Sequence, residues 1–204
     1  MYQQEQPAPH ALYHLTKRII DILFSLIALI ITLPLVALVA LSISLESKGS
    51  PFFLQTRSGK DGKPFKLIKL RSMYKKPHTH PHPKEWTQVN DNRITPTGFF
   101  IRKYHIDELP QLINVIIGQM SIVGPRPELP DLTEKFEKEH PGFKDRLAVL
   151  PGLTGLAQIN GGYNIPPNIK AGFDREYIKR RSLKLDFEIM FKTIGVLLTG
   201  QDAR

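Results

Sequence analysis

The sequence predicts an α+β protein, a mainly helical domain with a small β-hairpin, attached to one long apolar helix. Three observations carry this. The run from Ile22 to Leu45 has no charged residue, and about 20 such residues suffice to cross a bilayer. Two short apolar segments, Pro51 to Gln55 and Phe65 to Leu70, flank the turn signal Ser58-Gly59-Lys60-Asp61-Gly62-Lys63 and read as a hairpin. Beyond it, Leu109, Leu112, Ile113, Ile116 and Ile117 repeat at three and four residues, the spacing of one helix face.

The apolar run carries Pro34 near its middle and basic residues at both ends: Lys17 and Arg18 before, Lys48, Arg57 and Lys60 after. Lys and Arg mark the cytoplasmic side of a membrane segment, and here both flanks ask for it. Proline removes a backbone donor and clashes with the preceding turn, so it bends helices; Thr32 can satisfy a backbone group freed nearby. A single span with a tolerated proline fits these residues, and so does a helix that enters, turns at Pro34 and leaves by the same face. A cleaved signal peptide does not: the apolar region is too long and no small-residue cleavage site follows.

The chain has 204 residues and a net charge of +9. The expected organisation is a flexible tail over 1–14, the membrane helix over 15–48 and one domain over 49–204, which leaves about 155 residues for a core. The positive charge suits anionic lipid headgroups and phosphorylated substrates. Nucleic acid is not an expected partner, because no recognition-helix or aromatic motif accompanies the charge. With no cysteine, disulfides, thiolate nucleophiles and Cys-ligated metals are excluded.

The helix of Leu109 to Ile117 is expected to begin near Asp107 and to stop at Gly118. Gly124-Pro125-Arg126-Pro127 is irregular, 129–140 is a charged helix, Pro151 to Pro167 is a loop, and 170–198 is a last helical region whose end lies in the membrane interface or the core.

Asp107-Glu108 before Pro110 reads first as a helix cap with a favourable dipole contact. The same carboxylates can attack phosphorus or hold Mg²⁺. Lys66, Lys69 and Arg71 alternate with Leu67 and Leu70, either as a solvated strand face or as phosphate ligands. Arg126, stiffened by two prolines, can present its guanidinium fork to a phosphate. His78, His80 and His82 form a His-Pro loop with little of the character of a closed metal site. Pro151 to Gly162 is glycine-rich without a P-loop signature. It is either a structural loop or one whose backbone approaches a ligand.

Taken in order, these segments resemble the bacterial sugar transferases of the small monotopic phosphoglycosyl transferase type. The matching stretches are Lys17-Arg18-Ile19-Ile20-Asp21, Gln55 to Gly59, Phe65 to Met73, Asn92 to Thr95, Asp107 to Val115, Met120 to Glu128, Pro151 to Gly161 and Leu185-Asp186. The resemblance implies a re-entrant anchor broken at Pro34. It therefore implies a monotopic protein on the cytoplasmic face of the bacterial cell membrane. It also implies transfer of a sugar 1-phosphate from a UDP-sugar to undecaprenyl phosphate with release of UMP, as the first membrane step of exopolysaccharide, capsule or glycoconjugate synthesis. Asp107 matches the family's nucleophile, which forms a phosphosugar-aspartyl intermediate. Glu108 matches its partner carboxylate, and the reaction needs Mg²⁺ at that pair. The expected substrate- and phosphate-contacting set is Lys66, Lys69, Arg71, Arg102, Arg126, Gln158 and Asn160. Further partners consistent with this reading are the lipid bilayer, a second copy of the chain and downstream glycosyltransferases.

The chain departs from the family pattern at Leu150 and Gly162, where arginine is usual, and at Gln119, where aspartate is usual. Either Arg146 or Arg175 substitutes for the lost arginines, or the substrate sits differently. Relative to larger members it looks like the minimal catalytic unit. Two rival readings are a non-catalytic interfacial adaptor and a lipid-phosphate phosphatase.

Overall fold

The computed structural model describes residues 10–74, 91–161 and 165–199. The His78–His82 loop and Gly162 lie outside them. Helix α1 (His10–Glu46) leads into the antiparallel hairpin β1 (Phe52–Ser58) and β2 (Pro64–Leu70). There follow α2 (Pro96–Lys103), a 3₁₀ turn (Ile106–Glu108), α3 (Gln111–Ile116), β3 (Ser121–Val123), α4 (Pro130–Glu139), a second 3₁₀ segment (Phe143–Ala148) and β4 (Gly152–Thr154). The chain closes with α5 (Leu156–Ile159), α6 (Pro167–Arg180) and α7 (Leu183–Thr199).

Helix α1 runs through Pro34 without interruption, so the expected break is not a break in helical structure. Part of the expected tail is helical as well. Thr32 donates to Ala28 O at 2.7 Å, the hydroxyl-to-carbonyl contact that commonly bends helices. Asp21, Ser25, Val36, Val39 and Ile43 are buried and Ala28 and Thr32 half-buried, at steps of three and four residues. The domain therefore packs along one face of α1 on both sides of Pro34. The opposite face, with Leu23, Ile27, Ile30, Ile31, Leu33, Leu38 and Leu41, is exposed, and Pro34 lies on that side.

Each half of α1 is fastened separately. Toward the N-terminus, Asp186 of α7 accepts from Tyr13 (3.0 Å), Lys17 (3.0 Å) and Tyr177 (2.8 Å). Arg18 donates to Val115 O (2.6 Å) and Ile116 O (2.8 Å), a cation on the C-terminal carbonyls of α3. Asp21 accepts from Ile122 N at 3.1 Å. Toward the C-terminus, Val36, Val39 and Ile43 pack with Leu70 of β2 and Ile101 of α2. The Arg71 guanidinium donates to Ile43 O, Ser47 O and Lys48 O (3.1, 2.7 and 2.9 Å), tying the last turn of α1 and the chain just beyond it to the end of β2.

The main core joins Phe65 and Leu67 of β2, Leu112 and Val115 of α3, Met120, Ile122, Val123, Tyr177 and Ile189. The hairpin forms as expected, with Phe52 paired to Leu70 and Ser58 to Pro64. The Pro151–Pro167 stretch is not only a loop. It contains β4, parallel to β3 in the register Ser121–Gly152 and Val123–Thr154, and the short α5. Its glycines serve close backbone packing: a Cβ on Gly152 would lie 2.1 Å from Gly124 N, and one on Gly155 2.2 Å from Gly124 O. The single helical region expected over 170–198 is two helices. Ser182 starts the second, its hydroxyl accepting from Leu185 N at 3.3 Å. One face of α7, with Leu185, Ile189 and Met190, enters the core, while Phe187, Phe191 and Ile194 are exposed.

Candidate active site

The helix expected to start at Asp107 starts later, at Gln111 with Pro110 as its cap. Pro110 has no N–H to extend the ladder, so the preceding residues close a tighter turn, Glu108 N bonding to His105 O and Leu109 N to Ile106 O. Asp107 and Glu108 thus sit on a 3₁₀ turn rather than capping α3. His105, at φ 54°, takes the left-handed conformation and ends α2, in a place where glycine is usual. Ile106 and Leu109 bracket the two carboxylates and pack against the cluster that joins Val36, Val39 and Ile43 of α1 to Leu70 of β2 and Ile101 of α2. The acidic turn therefore shares a core with the apolar helix.

Two cations from different segments converge on Glu108. Lys69 of β2 donates to its Oε1 at 2.7 Å. Arg126, from the irregular segment after β3, forks onto it, Nη2 to Oε1 at 2.5 Å and Nη1 to Oε2 at 3.2 Å. Lys69 lies 4.0 Å from Asp107 Oδ2, beyond hydrogen-bond range. Lys69 is held there by Asn114, which is fully buried and treats the edge of β2 as a strand would. Its Oδ1 accepts from Ile68 N (3.0 Å) and its Nδ2 donates to Lys66 O (2.8 Å). Gln119 accepts from the same Nδ2 at 2.7 Å, so the departure at Gln119 supports this bracket.

The two carboxylates titrate in opposite directions. Burial opposes ionisation of Glu108, but Arg126 and Lys69 outweigh it and hold its carboxyl well below the usual range. Burial pushes Asp107 up, Lys69 pulls it down, Glu108 pushes it up, and Arg102 and His105 draw it down more weakly. Glu108 is the fixed anion, both of its oxygens taken by cations. Asp107 is the more basic carboxylate, and its oxygens remain able to act on a ligand.

Of the residues singled out in the sequence, Asp107, Glu108, Lys69 and Arg126 form one cluster, with Arg102 close enough to act on Asp107 electrostatically. The others sit elsewhere. Lys66 is exposed and donates to Thr56 Oγ1 at 2.7 Å. Arg71 is buried under the end of α1. Asn160 bonds to Leu156 O at 2.7 Å. Both polar side-chain atoms of Gln158 are buried in the β3–β4 packing without a hydrogen-bond partner. Arg175 is exposed and meets Gly142 O at 3.4 Å, and Arg146 is buried against Asp174 at 2.9 Å. Spacing did not point to the roles of Asn114, Arg18 or Asp186. The only sequence signal for them was that they fall in the stretches carrying the family resemblance.

Comparison with known proteins identifies the family. The family profile described as bacterial sugar transferase matches residues 12–200. A protein of Aeromonas hydrophila named UDP-N-acetylgalactosamine-undecaprenyl-phosphate N-acetylgalactosaminephosphotransferase is 43% identical over 199 residues, 96% of this chain and 47% of the relative. UDP-glucose:undecaprenyl-phosphate glucose-1-phosphate transferases of Caulobacter vibrioides and Escherichia coli are 37% identical over 202 residues and 41% over 187. They are matched over 75% and 39% of their own lengths. The chain thus spans about half, or less, of two of these relatives.

Proposed function

The chain belongs to the bacterial sugar transferase family, and on that premise we propose that it transfers a sugar 1-phosphate from a UDP-sugar to undecaprenyl phosphate. One observation carries the residue assignment: Glu108 is locked between Lys69 and Arg126 while Asp107, beside it, is not. Asp107 then attacks the sugar-linked phosphorus. The new bond is carboxylate oxygen to phosphorus, the bond that breaks is the phosphoanhydride, and UMP leaves with the electron pair. The resulting acyl phosphate is reactive enough to pass the group on. A phosphate oxygen of the lipid attacks the same phosphorus and Asp107 is regenerated. Lys69 and Arg126 hold Glu108 and place positive charge where phosphate oxygens gain it.

Among the described residues no group of three or more His, Asp or Glu gathers into a metal cage. Mg²⁺ needs none, since it is held by one or two carboxylates together with substrate phosphates. Of the pair, Asp107 is the carboxylate without a cation in hydrogen-bond range and would hold the ion with the diphosphate, whereas both Glu108 oxygens are already taken by Lys69 and Arg126. When bound, Mg²⁺ neutralises charge on the transferring phosphoryl group.

For the membrane we propose a monotopic, re-entrant arrangement on the cytoplasmic face. Both halves of α1 are fastened to one domain, and the exposed apolar face with Pro34 lies between the fastenings. This seats the acidic turn at the interface, where a soluble nucleotide sugar and a lipid phosphate can meet. Reporters at the N-terminus and after Gly49 should both read cytoplasmic, and an external N-terminus would contradict the arrangement. The reaction is tested with purified protein, undecaprenyl phosphate, Mg²⁺ and a panel of UDP-sugars. UMP release that chelator abolishes is expected, and no release with any donor would overturn the reading.

A further inference from the structure

Pro125–Glu128 has no regular structure, and two of its four residues lack an N–H, yet each of its carbonyls has a donor. Gly152 N bonds to Pro125 O (2.9 Å) and Ser58 N to Glu128 O (2.9 Å). Arg57 Nη1 bonds to Pro127 O (3.2 Å) and Arg146 Nη2 to Arg126 O (2.9 Å). The segment is therefore tied from the hairpin, from β4 and from the second 3₁₀ segment at once. Its one outward side chain at this point, Arg126, is aimed at Glu108.

Arg146 is 3% exposed. Its Nη2 also lies 2.9 Å from Asp174 Oδ2 and its Nη1 3.7 Å from Glu128 Oε1. Its guanidinium carbon lies 4.7 Å from the centre of the Phe143 ring. Glu128 in turn receives Lys170 at 3.0 Å and approaches Arg57 at 4.0 Å. Such a buried arginine reads at first as a phosphate ligand. The pocket beside it, lined by Ser58, Pro125, Glu128, Thr133 and Leu147, is about 10 Å³, room for at most one water. That is too small for a substrate phosphate as the side chain is packed here.

We propose that Arg146, itself fixed by Asp174 and Glu128, is a positioning residue that clamps the Arg126 backbone so that the Arg126 fork meets Glu108. This replaces the expectation that Arg146 takes over a direct phosphate contact. An arginine suits the role because one nitrogen serves the carbonyl and pairs ionically with Asp174 while the guanidinium sits over Phe143, a combination that lysine cannot reproduce. The effect on turnover rests on the proposed reaction; the clamp itself does not.

The test is a double-mutant cycle of Arg146→Ala with Arg126→Ala in the full-length, membrane-bound protein, with Arg146→Lys as the milder variant. With UDP-sugar and undecaprenyl phosphate, Arg146→Ala should lower kcat roughly tenfold, within the range that coupled neighbours show, and leave the KM for the UDP-sugar within about twofold. In the Arg126→Ala background it should lower kcat less than about twofold, because its route to the site is gone. Thermal unfolding reads the same coupling without activity. The midpoint lost on Arg146→Ala should be smaller in the Arg126→Ala background, since the Arg126–Glu108 contact can be lost only once. Equal losses in both backgrounds, or a raised KM with unchanged kcat, would overturn the clamp. Absence of UMP release from the wild type would overturn the proposed reaction instead, with the unfolding cycle still deciding the clamp.

Discussion

Replacing Arg126 by alanine removes the fork from a carboxylate that is only 7% exposed and leaves it with Lys69 alone. Breaking a buried ion pair by deleting one partner costs about 3–5 kcal/mol. The lower end applies, because the Arg126 side chain keeps 20% of its exposure and Lys69 stays in place. A loss of about 3 kcal/mol, carried into the transition state, lowers kcat roughly 150-fold. Arg126→Lys keeps a charge and loses the fork, about 1.5 kcal/mol or roughly tenfold. The assay is UMP release at saturating UDP-sugar near neutral pH, with thermal unfolding of the same samples across pH. The linkage has a definite sign. A carboxyl whose folded pKa is depressed contributes stability above its unfolded value, and that stability is lost as pH falls through the folded value. The gap in stability between wild type and Arg126→Ala should thus be full above the ordinary glutamate value of 4.5 and close below it. An Arg126→Ala enzyme within twofold of wild type, or a gap that stays constant on acidification, would refute the reasoning.

The proposed attack requires ionised Asp107, so turnover should fall as pH drops through its raised pKa. Lys69 pulls that pKa down and Glu108 pushes it up; the acid limb of the pH–rate profile should move to higher pH in Lys69→Met and to lower pH in the residual activity of Glu108→Gln. Gly152→Ala places a Cβ 2.1 Å from Gly124 N and 2.4 Å from Thr154 O. Backbone cannot yield cheaply there, so a loss of about 3 kcal/mol is expected, or a fall in Tm of roughly 6–12 °C. Gly172→Ala in α6 meets nothing within 4 Å and should stabilise by about 0.5–1 kcal/mol. Asp186→Ala strips three donors of their acceptor at once. Hydrogen exchange should accelerate in the N-terminal half of α1 and stay unchanged in the hairpin.

The parts of the site that were legible in the sequence were those set by short-range chemistry. Asp107-Glu108 before a proline and Arg126 between two prolines are unusual in any context, and the glycine-marked hairpin turn fixed where β2, and hence Lys69, would lie. Lys66 and Arg71 looked the same as Lys69, because three basic residues in and just after one strand do not say which side chain reaches an acid. Arg71 turns under α1 instead, a contact made across 28 residues to Ile43. The β3–β4 pairing escaped for a different reason. Each strand has three residues, too few to display alternation, and the glycines that permit the pairing look like those of a loop. Asp186 meets Tyr13 across 173 residues, a distance over which periodicity carries no information. Pro34 predicts a bend, yet the inward stripe of α1 keeps its helical step through it, because packing on both sides outweighs one missing donor.

The central claim is that Asp107 is the atom-bonding nucleophile, with Glu108 fixed beside it as a partner. The most direct measurement omits the lipid acceptor and asks whether the protein becomes labelled. Wild type incubated with Mg²⁺ and a UDP-sugar labelled in the sugar-linked phosphate should take up label, to at most one per chain, and lose it when undecaprenyl phosphate is added. Asp107→Asn, which keeps the shape of the turn and removes the nucleophilic charge, should remain folded and membrane-bound, take up no label and release negligible UMP. Label on Asp107→Asn, or turnover close to that of wild type, would contradict the account.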